Sequence, residues 1–472
     1  MTEGSAGAPA PESGQLTVLE RFLRLFSDIR PGEGRTAAIL FADVLLILCA
    51  YYFIKPLREG WLAVSGIEGL SKMELKAYSS FGQSVMLIAV VAGYSSLVGR
   101  WPRRVLIERS TLFFMSNMVA FWLLQPGFFV ANLPVMGILF YLWVGIFGVF
   151  VVAQFWAFAA DLYDNSSGKR LLPVIAIGAT SGAAVGSWLA QRLVSSSLVP
   201  TEYLLLAALV PLGISVFLTR AADGATAPDS PPALGHQLAS ESNRTGALAL
   251  VTRSRFLLGV AAVTLLLNWV NTNGENILFR VVQENLERQL AANGGGSSQA
   301  SLDFVRDGTT LFYGNFFFWV NVIALMLQAF VASRLLKIGG FGAIFLLLPV
   351  IAFTSYTAMA LVPLLPMIKA MKIAENATDY SINNTARHVL WLPMSSEIIH
   401  KAKPTIDSLF VRAGDGLAAL TVVLGVQVLA ASLEFFLVLN VVLVVFWLAL
   451  GIWVVREHGR RVGTPEATDA LG

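Results

Sequence analysis

Apolar runs of about 20 residues, broken by short polar stretches, recur between positions 36 and 455 of the chain, and a run of that length lets an α-helix cross a hydrocarbon core of roughly 30 Å. Counted this way, about twelve membrane helices are expected, at 36–62, 77–98, 105–124, 133–163, 171–193, 202–219, 256–282, 311–333, 341–364, 367–391, 405–431 and 433–455. A helix satisfies its own backbone hydrogen bonds, as lipid requires, so the fold class expected is an all-α membrane protein. A stretch at 221–243, rich in Ala, Pro, Ser and Asp and without apolar periodicity, interrupts the series after the sixth run. It reads as a flexible linker between two six-helix halves. The expected organisation is a tail at 1–35, a first half at 36–220, a linker at 221–252, a second half at 253–456 and a second tail at 457–472. Positions 1–15 lack both a basic start and an apolar run, and are expected to be disordered rather than a signal peptide. Val18, Leu19, Phe22, Leu25, Phe26 and Ile29, with Arg21 and Arg24 between them, predict a short helix lying on the membrane surface or against the bundle. A second flexible loop is expected at NGGGSSQA, 293–300.

Basic residues orient the spans. Arg21, Arg24, Arg30 and Arg35 precede the first span, Arg100, Arg103 and Arg104 follow the second, and Lys169 and Arg170 follow the fourth. Arg334 and Lys337, Lys401 and Lys403, and Arg456, Arg460 and Arg461 continue the alternation, which by the positive-inside rule puts these loops and both termini in the cytoplasm. The expected location is the plasma (inner) membrane, with lipid as the surrounding partner. Composition agrees: 56% of residues are hydrophobic and 13% charged, against about one-quarter charged in soluble domains. The net charge of +3 is carried by the alternate loops, so it is not read as a nucleic-acid footprint. The lone Cys49 cannot form an intrachain disulfide.

Ionisable side chains at bilayer depth are expensive and should face the bundle interior or water. In the tenth span Lys369, Lys372, Asn376, Asp379, Asn383 and Arg387 recur every three or four residues, with Glu375 beside them. Thr264, Asn268, Asn271, Thr272 and Glu275 make a stripe in the seventh, and Gln154, Asp161 and Asn165 in the fourth. In the first, Asp43, Tyr51 and Arg58 share a side, flanked by Lys55 and Glu59. Striped spans thus recur every third helix, which predicts four helices around a shared hydrated path. The alternative is a set of polar contacts that only fix the bundle. The residues expected to bind solute are Lys55, Arg58, Asp161, Asn268, Asn271, Glu275, Lys372, Asn376, Asp379, Asn383 and Arg387. In the expected cavity Lys55, Arg58, Lys369, Lys372 and Arg387 stand against Asp161, Asp379, Glu275 and Glu375, a surplus of cations that suits a small anionic solute. Trp61, Trp156 and Trp269 lie near the same faces and could stack on a planar ring or serve as ordinary packing. Gly178, Gly182 and Gly186 form a ridge assigned to helix packing. There is no phosphate-cradling loop of the G-x-x-x-x-G-K-[ST] type, no metal-binding histidine pair and no nucleophile elbow. The expectation is a protein that is not an enzyme, with no catalytic residue, metal or cofactor.

SSLVGRWPRRVLI at 95–107 and ASRLLKIGGFGAIF at 332–345 occupy the same place in each half. Both resemble the loop after the second span of each half in major facilitator transporters. FADVLLILCAYYFIKPLREGWL, FWAFAADLYDNSSGKRLLPVIAIGATSGAAVGS and AENATDYSINNTARHVLWLPMSSEIIHKAKPTIDSLFVRAGDGLAA are similar, over nearly the whole membrane region, to the bacterial and plastidic ATP/ADP translocase family. Its R-D-T-K-D motif matches Lys55, Pro56, Leu57, Arg58 and Glu59, and its A-N-E matches Ala159, Ala160 and Asp161. Its K-x-K-A-A-I-D run matches Lys401, Lys403, Ile406 and Asp407, and the following R-x-G matches Arg412 and Gly414. The resemblance implies a major facilitator-like fold and nucleotide exchange across the membrane, with ATP and ADP as the solutes bound. The chain departs from the family in the seventh span, where a carboxylate is replaced by Asn271 and a lysine by Glu275, which points to a divergent branch. The expected function is a secondary transporter exchanging nucleotides or a related anion by alternating access. The alternatives are a carrier of another organic anion, including a proton-coupled one, and a non-transporting scaffold or sensor.

Overall fold

The computed structural model describes residues 30, 33–98, 103–126, 128, 133, 135–163, 165–196, 200–223, 244–294 and 299–463, and every regular element among them is helical. The surface helix expected at 18–29, most of the linker and the loop core at 99–102 lie outside the described residues. The first half consists of α1 (Gly34–Val64), α2 (Lys72–Val98), α3 (Arg103–Leu123), α4 (Met136–Asp161), α5 (Asn165–Ser195) and α6 (Leu204–Asp223). A short helix, α7 (Arg244–Arg253), leads into α8 (Arg255–Ala292), the seventh span. The eighth and ninth are α9 (Gln299–Met326), a π-helical segment at Leu327–Ala332 and α10 (Ser333–Leu361). The chain reverses inside α10 at Gly340, whose φ of 65° favours glycine. The tenth span is broken into α11 (Leu365–Thr378), a π-helical turn at Asp379–Asn383 and α12 (Asn384–Leu390). The eleventh joins α13 (Ser396–Thr405) to α14 (Val411–Val423) through Ile406–Phe410 and ends in Leu424–Val428, both π-helical. The twelfth is α15 (Leu433–Gly463).

Among the described residues, eight helical stretches are long and apolar enough to cross a bilayer, and one of them, Gln299–Leu361, holds two passes because of the reversal at Gly340. The second, third and tenth passes are not among these eight: α2 carries Lys72, Glu74 and Lys76 in its first turns and is free of charge from Ala77 to Val98, α3 carries Glu108 and Arg109, and α11 carries Lys369, Lys372 and Glu375. Together these make the twelve passes of an integral, multi-pass membrane protein. Large apolar side chains such as Phe113, Val210, Phe217 and Phe446 are left on the outer surface, as lipid-facing positions should be.

Helix contacts repeat after six passes. α1 packs on α4, α5 and α6, and α8 packs on α11, α14 and α15 in the same way. Across the halves α9 lies against α1 and α5, while α2 lies against α8 and α14. The glycine ridge sets the closeness of one such pair: a Cβ on Gly178, Gly182 or Gly186 would run into the carbonyls of Phe41, Leu45 or Cys49 on α1. Gly414 meets the Leu265 carbonyl of α8 in the matching place of the second half.

Several expected boundaries move. α8 has 38 residues, about 57 Å at 1.5 Å per residue, because QENLERQLAA beyond the apolar run is itself made largely of good helix formers. α2 starts at Lys72 rather than 77, and part of the expected linker is helical, in α6 up to Asp223 and in α7. Some striped residues fix the bundle instead of lining a path. Asp43 accepts from Ser215 and Thr219 on α6 and Gln154 accepts from Ser110 on α3, while Asn273, outside the seventh-span stripe, donates to Asn440 on α15.

Candidate functional site

A cavity of about 390 Å³ lies between the halves. The first half lines it with Lys55 and Arg58 from α1, Lys76, Ser80, Gln83 and Ser84 from α2, and Tyr141 from α4. The second half lines it with Asn268, Asn271, Thr272 and Glu275 from α8, Phe317 from α9, Asn376 from α11, Tyr380 from the π-helical turn, and Val411, Arg412 and Asp415 from α14.

On the first wall Glu59, 1% exposed, sits between two cations. Arg58 donates to one of its carboxylate oxygens at 2.6 Å and Lys76 to the other. The Tyr141 ring faces both, with its centroid 4.3 Å from the Arg58 guanidinium carbon and 4.6 Å from the Lys76 ammonium. Lys55 is held differently. Its ammonium lies 4.1 Å from the ring centroid of Phe317, 4.9 Å from that of Tyr52, 5.7 Å from that of Tyr51 and 5.9 Å from that of Tyr380. No carboxylate among the described residues lies within 4.0 Å of it. Aromatic faces attract a cation without neutralising it, so the Lys55 ammonium is held at the cavity wall by ring faces rather than by a counter-ion. Pro56 follows it in α1 and removes a backbone donor one turn after Tyr52, which leaves that carbonyl without its usual helical partner.

On the second wall the arrangement is inverted. Lys372, fully buried, donates to Glu375 at 2.9 Å and lies 3.7 Å from Glu275. It also donates to the Asn271 side-chain carbonyl at 3.1 Å. Tyr356 donates to Glu375, and Asn376 donates to Glu275 at 2.9 Å. Gly274 makes room for this network: a Cβ there would strike the Tyr356 hydroxyl and crowd the Lys372 ammonium. A second cluster ties the halves together, with Asp415 accepting from Ser84 at 2.6 Å, Thr272 at 2.8 Å and Arg412 at 3.2 Å. Beyond the cavity, away from the face where α1 begins and α15 ends, Arg306 on α9 pairs with Glu202, which precedes α6. There Thr201 also donates to Asp307.

Of the expected site residues, Lys55, Arg58, Asn268, Asn271, Glu275 and Asn376 line this cavity. Lys372 stands one layer behind, because two glutamates draw it into the protein. Asp379 accepts from Asn383 at 2.6 Å within the π-helical turn. Asn383 and Arg387 face a smaller space of about 20 Å³ that shares Asn268 with the main cavity, and there Arg387 donates to Asp407 at 2.7 Å. Asp161 is not among the lining residues; it ends α4 at one face of the membrane, whereas the α4 residue in the wall, Tyr141, lies near the other end of that helix. The expected tryptophans are elsewhere too: Trp61 packs on Phe140, Trp269 donates to Thr421, and Trp156 packs beside Phe155. Tyr141, Phe317 and Tyr380 supply the aromatic surface instead. Sequence reasoning missed Lys76, Gln83, Ser84, Arg412 and Asp415. Among the described residues no group of three or more His, Cys, Asp or Glu is placed to hold a metal ion.

No protein-family model and no curated protein sequence matches the chain. Solved structures do. A bacterial homologue of the human lysosomal transporter Spinster, inward-facing and unoccupied, matches with a TM-score of 0.55 at 13% identity, over 92% of this chain and 99% of that one. A POT family transporter in complex with 5-aminolevulinic acid matches at 0.60 and 11% identity, over 90% and 96%. The nucleoside transporter NupG matches at 0.57 and 14% identity, over 89% and 99%. The twelve passes, their sixfold-shifted contacts and these likenesses make the fold major facilitator-like.

Proposed function

We propose that this protein is a secondary transporter of the plasma (inner) membrane, with both termini cytoplasmic, that exchanges nucleotides or a related organic anion by alternating access between its two halves. The observation that carries the reading is Lys55: a basic side chain with no carboxylate partner among the described residues, boxed by four aromatic rings, on the wall of a cavity between the halves and next to Arg58 and Lys76. A phosphate or carboxylate entering there gains a charge-assisted bond from a donor that gives up no ion pair. The Lys55 to Glu59 motif resembles that of the ATP/ADP translocases, and the fold is similar to that of the nucleoside transporter NupG, whose cargo shares the base and sugar of a nucleotide but not its phosphate. Lys55, Arg58 and Lys76 are the anion-binding residues in this reading. Lys372 holds the second wall together, and Arg387 pairs with Asp407 in the adjoining space.

Reconstitution into liposomes tests the proposal. Labelled ATP, ADP or AMP outside should accumulate when unlabelled nucleotide is inside, and Lys55→Gln should abolish the uptake. Wild-type vesicles that exchange no nucleotide would remove the nucleotide cargo from the proposal. Uptake unchanged in Lys55→Gln would move the anion site elsewhere.

A further inference from the structure

The two walls do not carry the same charge. The first half brings Lys55, Arg58 and Lys76 to the cavity against the single carboxylate of Glu59. The second half brings Lys372 and Arg412 against Glu275, Glu375 and Asp415. Within the second set the pairing is uneven. Lys372 is satisfied by Glu375 at 2.9 Å and Arg412 reaches Asp415 at 3.2 Å, which leaves Glu275 with a lysine only at 3.7 Å and the neutral amide of Asn376. Asn376 and Lys372 both approach the same oxygen of Glu275, and the side chain is 24% exposed toward the cavity. Its other oxygen is therefore the second wall's available acceptor. Glu275 stands on the seventh span and Lys55 on the first, helices that occupy matching places in the two halves.

We infer that the cavity selects its solute as a dipole: the anionic group binds on the Lys55 and Arg58 side, and a protonated amine on the same molecule binds Glu275. The inference rests on the reading of this cavity as an anion site and deepens its organic-anion branch rather than its nucleotide branch, since the amino group of a nucleobase carries no proton charge at neutral pH; it names the substrate class as amine-bearing organic anions. A solute with only the anionic group leaves the second carboxylate oxygen of Glu275 unused at the cavity surface. A solute with both groups places a charge-assisted bond at each end, and those are the strong ones.

Matched ligands test this with the intact protein. Ethyl phosphate and phosphoethanolamine differ by one amine, and their binding to purified protein can be measured by calorimetry. Phosphoethanolamine should bind at least about tenfold more tightly. In Glu275→Gln the preference should fall to within about twofold. Lys55→Gln should weaken both ligands together. Equal affinities in the wild type, or a preference that survives in Glu275→Gln, would overturn the dipole while leaving an anion site in place. Failure of both ligands and of AMP to bind the wild type would overturn the anion site itself. The wild-type comparison needs no variant, so a misfolded Glu275→Gln cannot mask the result.

Discussion

The cavity is flanked by two charge triads of opposite sense. On the first wall a buried carboxylate, Glu59, sits between the cations Arg58 and Lys76. On the second a buried ammonium, Lys372, sits between the carboxylates Glu375 and Glu275. Each triad joins two helices of its own half, α1 to α2 and α8 to α11, so each ties one wall together without crossing to the other half. They differ in what the solute meets. Both outer members of the first triad line the cavity, whereas Glu375 in the second turns away to Tyr356 and only Glu275 reaches the wall. In the proposed reading the central charges stabilise the walls, while the outer charges that line the cavity, together with Lys55 outside both triads, meet the solute.

Removing a central charge should have the largest effect. Lys372→Met leaves two buried carboxylates without their cation, and Glu59→Gln leaves two buried cations without their carboxylate. Each should cost about 3–5 kcal/mol, as breaking a buried pair does. Thermal unfolding in detergent measures this, and the double variant Lys372→Met with Glu375→Met should recover part of the loss. A cost below about 1 kcal/mol for either single variant would mean that water reaches the triad and screens it. Lys55→Gln makes the opposite case. It breaks no ion pair among the described residues and gives up only cation–π contacts, so the stability loss should stay below about 2 kcal/mol while nucleotide or organic-anion affinity falls at least about tenfold. A Lys55→Gln protein as unstable as Lys372→Met would place Lys55 among the structural charges.

The sequence made the second triad easier to find than the first. Lys372 and Glu375 stand out at helical spacing in an apolar run, and Asn268, Asn271 and Glu275 form a stripe on one helix. Helical spacing cannot show that two glutamates draw Lys372 behind the wall, since one of them comes from another span. Lys76 was missed because hydropathy starts the second span at 77, whereas the helix starts at Lys72. Arg412 and Asp415 are three apart in the eleventh span, the spacing that marked the other stripes, and could have been found the same way. Asn383 and Arg387 failed for a different reason. The π-helical turn at Asp379–Asn383 inserts an extra residue per turn, which rotates the rest of the span by roughly 100° from the face that holds Asn376. The twelve passes were legible because lipid imposes length and apolarity on each. The walls were only partly so, because their charges are partnered across helices.

The smallest effects should come from the tyrosines that support each triad, and they distinguish how the support works. Tyr356 acts through its hydroxyl, which donates to Glu375 at 3.3 Å and lies 3.2 Å from the Val270 carbonyl. Tyr141 acts through its ring face, set against Arg58 and Lys76, while its hydroxyl meets Ser80 at the cavity edge. Phenylalanine removes only the hydroxyl. Tyr356→Phe should therefore cost about 1 kcal/mol, the usual net value of a buried hydrogen bond. Tyr141→Phe should stay within about 0.5 kcal/mol, because the cation–π face remains and water can replace the lost contact to Ser80. Thermal unfolding of the two variants side by side decides the point. If Tyr141→Phe were the costlier of the two, the first triad would depend on the phenol hydroxyl as the second does, and the contrast between a wall held by ring faces and a wall held by hydrogen bonds would fall.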